Sequence, residues 1–183
     1  MEAAIELVAE HGWERVTTRQ IARRARSNQA LINYHFGSKE GLLRAALESA
    51  LREGFQAPLQ AMLEAPSFVD ACVALITEMA AMDQAEPIVR FSMEALSRAP
   101  RDEELRRIMA NLLTELRTLI ATGIAEAQAR GEIPAGIDPA GTATLLGGVF
   151  DGLGLHLLVD PSLDAAPAAR AVRTLLTGTK ENA

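Results

Sequence analysis

The sequence predicts an all-α protein, an N-terminal three-helix domain joined to a larger helical domain, and three observations carry that prediction. Apolar residues recur at spacings of three and four rather than in alternation, which is the period of one helix face. Ala, Leu, Glu and Arg outweigh the Val, Thr and Tyr that sheets favour, and aromatics make up only 4% of the chain. Most prolines fall between the periodic stretches, where helices begin or end. A chain of 183 residues, 49% of them hydrophobic, buries a sizeable core in one domain, or in a small domain fused to a larger one.

Each element has its own signals. Residues 1–11 carry Ile5, Val8 and Ala9 at helical spacing and stop at His11-Gly12. Thr17-Thr18 caps a short helix over 18–25, with Ile21, Ala22 and Ala25 on one face. Asn28 caps another over 29–34 that turns Leu31 and Ile32 inward, and Gly37-Ser38 ends it. Ser38 then caps a fourth helix, with Leu42, Leu43, Ala46, Leu47, Ala50 and Leu51 along one stripe. Pro58 kinks or ends that helix, Pro66-Ser67 opens a fifth, and Pro87 stands at the first position of a sixth that runs to residue 98. Helices over 102–130, 139–159 and 164–177 follow, bounded by Pro100, by 131–134 and by Asp160-Pro161. With no flexible linker in the sequence, the fourth helix is expected to join domains 1–46 and 47–183 rigidly.

Other features bound the setting. Cys72 is the single cysteine and has no partner for an internal disulfide. The N-terminus lacks a basic flank and a small-residue cleavage site. The apolar run at 145–150 is broken by Asp151 well short of the roughly 18 residues of a span. The expectation is a cytoplasmic protein with no membrane segment.

The net charge of −6 hides an asymmetry. Residues 15–44 hold Arg15, Arg19, Arg23, Arg24, Arg26, Lys39 and Arg44 against Glu40 alone, so that segment is +6 and the rest is −12. A basic segment on an acidic remainder suits a face that meets phosphate, although a solvated helix face gives the same count. The two short helices with a tight turn between them have the proportions of a helix-turn-helix, whose second helix lies in the major groove. Gln29 and Asn33 carry amides that pair bidentately with adenine, and Ala30 or Leu31 suits a thymine methyl. Thr17, Thr18, Tyr34, His35 and Lys39 flank the pair and suit phosphate contacts, which set register without reading sequence.

The residues go beyond spacing. Thr17-Thr18-Arg19-Gln20-Ile21-Ala22, then Asn33-Tyr34-His35-Phe36-Gly37-Ser38-Lys39-Glu40-Gly41-Leu42-Leu43, resemble the DNA-binding domain of the tetracycline-repressor (TetR) family. Ala4-Ile5-Glu6-Leu7 and Glu10-His11-Gly12-Trp13 resemble the family's first helix and its glycine stop, and Phe150-Asp151-Gly152-Leu153 a motif of its penultimate helix. The resemblance implies an all-helical homodimer on a near-palindromic operator in double-stranded DNA, most simply a repressor released by a small-molecule effector. A DNA-bound dimer governed by a protein partner, or without an effector, is the alternative. Carried over by position, Thr18 and Arg19 contact phosphate, Gln29, Ala30, Leu31 and Asn33 face bases, and Tyr34, His35 and Lys39 hold the backbone. Three departures stand out. Arg26 and Ser27 occupy a turn where glycine and an apolar residue are usual, Leu31 and Asn33 are unusual in the recognition helix, and Met1 falls inside the first helix.

Beyond the N-terminal domain the signals are thinner. Met62, Phe91 and Met109, with Glu94, Asn111 and Asp151 as polar anchors, are candidates to line an effector cavity, though Met and Phe at helical spacing equally fill a core. Gly147, Asp151, His156 and Leu175 are candidates for a dimer interface, since a helix so rich in glycine suits close approach. Asp151 amid Leu145, Leu146, Val149, Phe150 and Leu153 needs a partner or a wet edge, whether across that interface or on a ligand. No nucleophile elbow, phosphate loop, paired carboxylates or metal-ligand spacing occurs in the sequence, so neither an enzyme nor a cofactor or metal site is expected.

Overall fold

A computed structural model describes residues 1–82 and 86–178, with the backbone alone at 55–59. Its elements are α1 (Glu2–His11), α2 (Thr18–Arg24), α3 (Gln29–Phe36), α4 (Lys39–Glu64), α5 (Phe68–Ala81), α6 (Pro87–Arg98), α7 (Glu103–Ala129), α8 (Pro139–Val159) and α9 (Ala166–Thr177). Single 3-10 turns occupy Trp13–Arg15 and Ala99–Arg101, and no strand occurs among the described residues. The protein is all-α.

The helix ends follow the capping chemistry of the sequence. Thr17 and Gln20 form a reciprocal capping box at α2, and Asn28 Oδ1 accepts from the Ala30 amide at 2.8 Å. Ser38, Ser67 and Asp138 accept from the amides of Gly41, Asp70 and Gly141 at 2.7–3.0 Å. Each bond satisfies a donor that the helix leaves orphaned, worth about 1 kcal/mol. Gly37, at φ 73°, supplies the left-handed residue that stops α3. Pro58 does not end α4, which runs on to Glu64. One missing amide is a local loss, and helix-forming Leu, Gln, Ala and Met residues continue the helix beyond it.

The described chain packs as two compact units, Met1–Gly54 with Ala85–Leu112, and Phe55–Gln84 with Leu113–Ala183. Of the three chain boundaries between them, two fall inside helices, α4 and α7, and the third between α5 and α6. The segment 1–46 lies wholly in the first unit, and α6 packs with it. The first core is built on Trp13, Leu43, Leu47, Phe91 and Leu105, all essentially fully buried. The second is built on Phe68, Ile76, Ile120, Ile124, Leu157 and Leu176. There the Glu132 carboxylate accepts from Ser67 Oγ at 2.6 Å and from the amides of Phe68 and Val69 at 3.0 and 2.7 Å, capping α5 from 63 to 65 residues away.

By length and composition alone, α7 and α8 are long and apolar enough to cross a membrane, with windows of mean hydropathy 1.2 and 1.4. A search for unbroken apolar runs passes over them because isolated polar residues interrupt both. Buried residues of the two helices, including Ile120, Ile124, Ala143 and Leu146, belong to the core of the second unit.

Gly123 of α7 shows how tight that core is. A Cβ there would overlap the ring of the fully buried Phe68, 2.8 Å from Cδ2, and stand 3.1 Å from Leu63 Cδ2. Alanine in a helix interior normally gains about 1 kcal/mol over glycine, but overpacking costs roughly 1–3 kcal/mol. Gly123→Ala should therefore lower stability in chemical denaturation; a gain would show that Phe68 does not pack here.

Candidate nucleic-acid interface

Helix α3 buries Ile32, which packs with Ile21 and Ala22 of α2 in the first core, with the partly buried Phe36 against the same cluster. Leu31, expected inward with Ile32, is exposed. Gln29, Ala30, Leu31, Asn33, Tyr34 and His35 are all exposed, Leu31 by 52% and Tyr34 by 83%. A leucine and a tyrosine beside two free amides make an unusual solvated surface and a suitable one for base edges, methyl groups and phosphates. His35 lies edge-on between Tyr34 and Phe36, at centroid distances of 5.2 and 6.4 Å.

The turn between α2 and α3 closes with two hydrogen bonds, Ser27 N–H to the Ala22 carbonyl at 2.9 Å and Arg26 N–H to the Arg23 carbonyl at 3.3 Å. These are the 6→1 and 5→2 bonds of a Schellman motif, which needs its linking residue in the left-handed region. That residue is Arg26, at φ 49° the only non-glycine residue at positive φ among those described. Holding an arginine there costs on the order of 1 kcal/mol.

The basic charge is not all available to a partner. Arg24 is committed to α1, with bonds of 2.8–2.9 Å to Glu6 and Glu10, and Arg44 is committed to Asp102. Lys39 is largely buried; its Nζ donates to the Trp13 carbonyl at 3.2 Å and lies 3.4 Å from Glu40. Thr17 directs its hydroxyl proton at Gln20 Oε1, 2.7 Å away. Arg15, Arg19, Arg23 and Arg26 remain exposed.

Helix α6 holds this unit from behind. The Phe91 ring stacks on Trp13, with centroids 5.5 Å apart and planes within 8°. The Arg98 guanidinium lies 5.8 Å from the centre of the Trp13 ring and pairs with Glu14. Trp13 Nε1 has no acceptor among the described residues, a cost of about 1–3 kcal/mol that burial of both rings offsets. At the start of α7, Asp102 receives Arg44 Nη2 on both oxygens at 2.7 and 2.8 Å, and its Oδ1 also accepts from the Leu105 amide at 3.0 Å. Burial alone would raise the Asp102 carboxyl, but the bonds from Arg44 and Leu105 outweigh it and hold it below the ordinary value. Sequence reasoning missed this junction, because partners 58 positions apart leave no periodic trace.

The six residues expected around one cavity are divided between the two compact units. Phe91, Glu94, Met109 and Asn111 lie in the first unit, Met62 and Asp151 in the second. Phe91 is fully buried core, whereas Glu94 and Asn111 are exposed. Met62 is buried with its sulfur 3.9 Å from Cys72 Sγ. Asp151 is exposed on the outer face of α8, where the apolar surface beside it pushes its carboxyl above the ordinary value by desolvation. Leu145 (55%), Leu155 (51%) and Val159 (78%) are exposed on the same helix, with His156, and Leu175 (62%) on α9. A Cβ at Gly147, Gly148 or Gly152 would meet nothing within 4 Å.

Comparison with known proteins agrees with this architecture. Residues 1–46 match the family of bacterial regulatory proteins, tetR family, and residues 69–180 match the C-terminal region of BetI-type transcriptional repressors. The chain is 34% identical over 140 residues to the HTH-type transcriptional regulator BetI of Rhizobium meliloti, a match covering 72% of this chain and 69% of that one. Among solved structures, Salmonella enterica GusR superimposes with a TM-score of 0.78 at 24% identity, covering 97% of this chain and 91% of that one. A putative regulator from Saccharomonospora viridis in complex with choline gives 0.74 at 22%, covering 96% and 90%.

The Arg44–Asp102 pair yields a prediction with a definite sign. A carboxyl held below its unfolded value stabilises the fold above the unfolded pKa of about 3.9, and that contribution is lost as pH falls through the lower folded value. Asp102→Asn should therefore cost about 1–3 kcal/mol at neutral pH, and the gap to wild type should close below about pH 4. Denaturation across pH measures it; a gap constant down to pH 2 would remove the ionic account.

Proposed function

The chain belongs to the tetR family of bacterial regulatory proteins, and we propose that it acts as a cytoplasmic, ligand-released repressor that binds a near-palindromic operator as a homodimer. The exposed face of α3 carries the reading. Gln29, Ala30, Leu31 and Asn33 address base edges, while Thr18, Arg19, Tyr34 and His35 hold the phosphate backbone. Thr17 and Lys39 contribute chiefly by fixing the ends of α2 and α4, since their polar atoms are engaged within the protein.

The outer faces of α8 and α9 support the dimer. Leu145, Leu155, Val159 and Leu175 are large, apolar and exposed, and the α8 glycines leave open space for a second helix to approach closely. Gly147, Asp151 and His156 join that face. Two-fold symmetry then sets two α3 helices against successive major grooves, roughly 34–36 Å apart. An effector favouring a different separation would release DNA, by a coupling of about 1–3 kcal/mol that acts equally in both directions. The choline-bound structural neighbour makes choline the first effector to test. At 100 times its dissociation constant, an effector adds about 2.7 kcal/mol of stability.

Selection of bound fragments from genomic DNA, followed by sequencing, tests the reading. Enrichment of a short palindrome is expected, and sequence-blind binding would overturn it. On the recovered duplex, Gln29→Ala should cost about 1–3 kcal/mol and relax preference at one base pair, whereas Tyr34→Phe should weaken every duplex alike. Equal loss of specificity in both variants would refute this division of base from phosphate contacts.

A further inference from the structure

Four arginines cluster in and just after α2, and they divide by face. Arg24 turns to α1 and is spent on Glu6 and Glu10. Arg19 and Arg23, four positions apart, lie opposite the buried side of α2 formed by Ile21 and Ala22, and Arg26 follows just beyond the C-cap Ala25. All three are exposed, and none has an ion-pair partner among the described residues. Arg19 and Arg23 line an open groove with Ser27, Asn28 and Gln29, so this row borders the first turn of the reading helix. Arg26 immediately precedes Ser27 of that lining and holds the one strained position of the turn.

The strain carries the argument. The hydrogen bonds of the turn are backbone bonds, which a glycine would make equally well and without the Cβ conflict. The Arg26 side chain has no hydrogen-bond or ion-pair partner among the described residues. We propose that Arg26, with Arg23, is a DNA-backbone contact, extending the phosphate grip from the α2 N-terminus across the turn. Resting on the DNA-binding reading above, it adds two residues outside that contact set. In this geometry the first helix crosses the backbone while the second enters the groove, so a cationic row beside the start of α3 faces the phosphates flanking the bases it reads. The contact is sequence-independent and raises affinity for all DNA.

Stability and binding should move in opposite directions when Arg26 is replaced. Arg26→Gly should raise the melting temperature by roughly 2–4 °C, while binding to the selected operator duplex and to a scrambled duplex of equal length falls several-fold. The slope of log K against log salt should become shallower by about 0.9 for each lost contact, counted once per half-site. Arg26→Lys should restore the slope without the gain in melting temperature, and Arg23→Gln should flatten the slope at unchanged melting temperature. Unchanged slope and affinity in Arg26→Gly would overturn the assignment, as would a loss confined to the operator duplex. Failure of the wild-type chain to prefer the operator over the scrambled duplex would instead overturn the DNA-binding reading itself, and this proposal with it.

Discussion

The stack of Phe91 on Trp13 is the contact on which the DNA-binding unit depends. Three short helices bury little surface by themselves: α1, α2 and α3 have 10, 7 and 8 residues, below the length at which isolated helices are stable. Their apolar faces need a partner, and α6 supplies one. The two rings, both essentially without solvent exposure, join the turn at Trp13–Arg15 to α6. Around them, Arg98–Glu14 and Arg44–Asp102 fix α6 and the start of α7 to that turn and to α4. The reading surface is therefore displayed from a unit that reaches to Leu112 in the chain.

That arrangement explains how the charges are used. The segment 15–44 concentrates positive charge, yet its members do different work. Arg24 and Arg44 orient helices, Lys39 ties the start of α4 to the Trp13 carbonyl, and the exposed arginines of α2 and its turn are left for a partner. Internal commitment of some cations ties the helices together, and the remaining ones stay exposed at the surface, where salt screens them.

Much of this was legible in the residues. The helices announced themselves through their caps: Thr17, Asn28, Ser38, Ser67 and Asp138 each stand where the chain enters a helix, and Pro87 and Pro139 at first positions. The exposed face of α3 was legible only in part: Ile32 is buried as its spacing suggests, but Leu31, expected inward beside it, is 52% exposed. Other features left no trace. Pro58 suggests a break that neighbouring helix formers override. Two of the boundaries between the compact units fall inside α4 and α7, where no change of composition marks them. Phe91 and Met62 look alike in periodicity, yet one stacks on Trp13 and the other packs beside Cys72. Arg26, by contrast, already stands out in the sequence as an arginine where the resembling family's turn has glycine, and its φ of 49° agrees with that reading.

Native-state hydrogen exchange tests the central claim, that α6 and the reading helices form one unit held by the Trp13–Phe91 junction. The account predicts that buried amides of α1, of α4 near Leu43 and Leu47, and of α6 near Phe91 open together, with one free energy and one denaturant dependence. Opening of α6 at clearly lower free energy, with α1 and the first turns of α4 still protected, would contradict it.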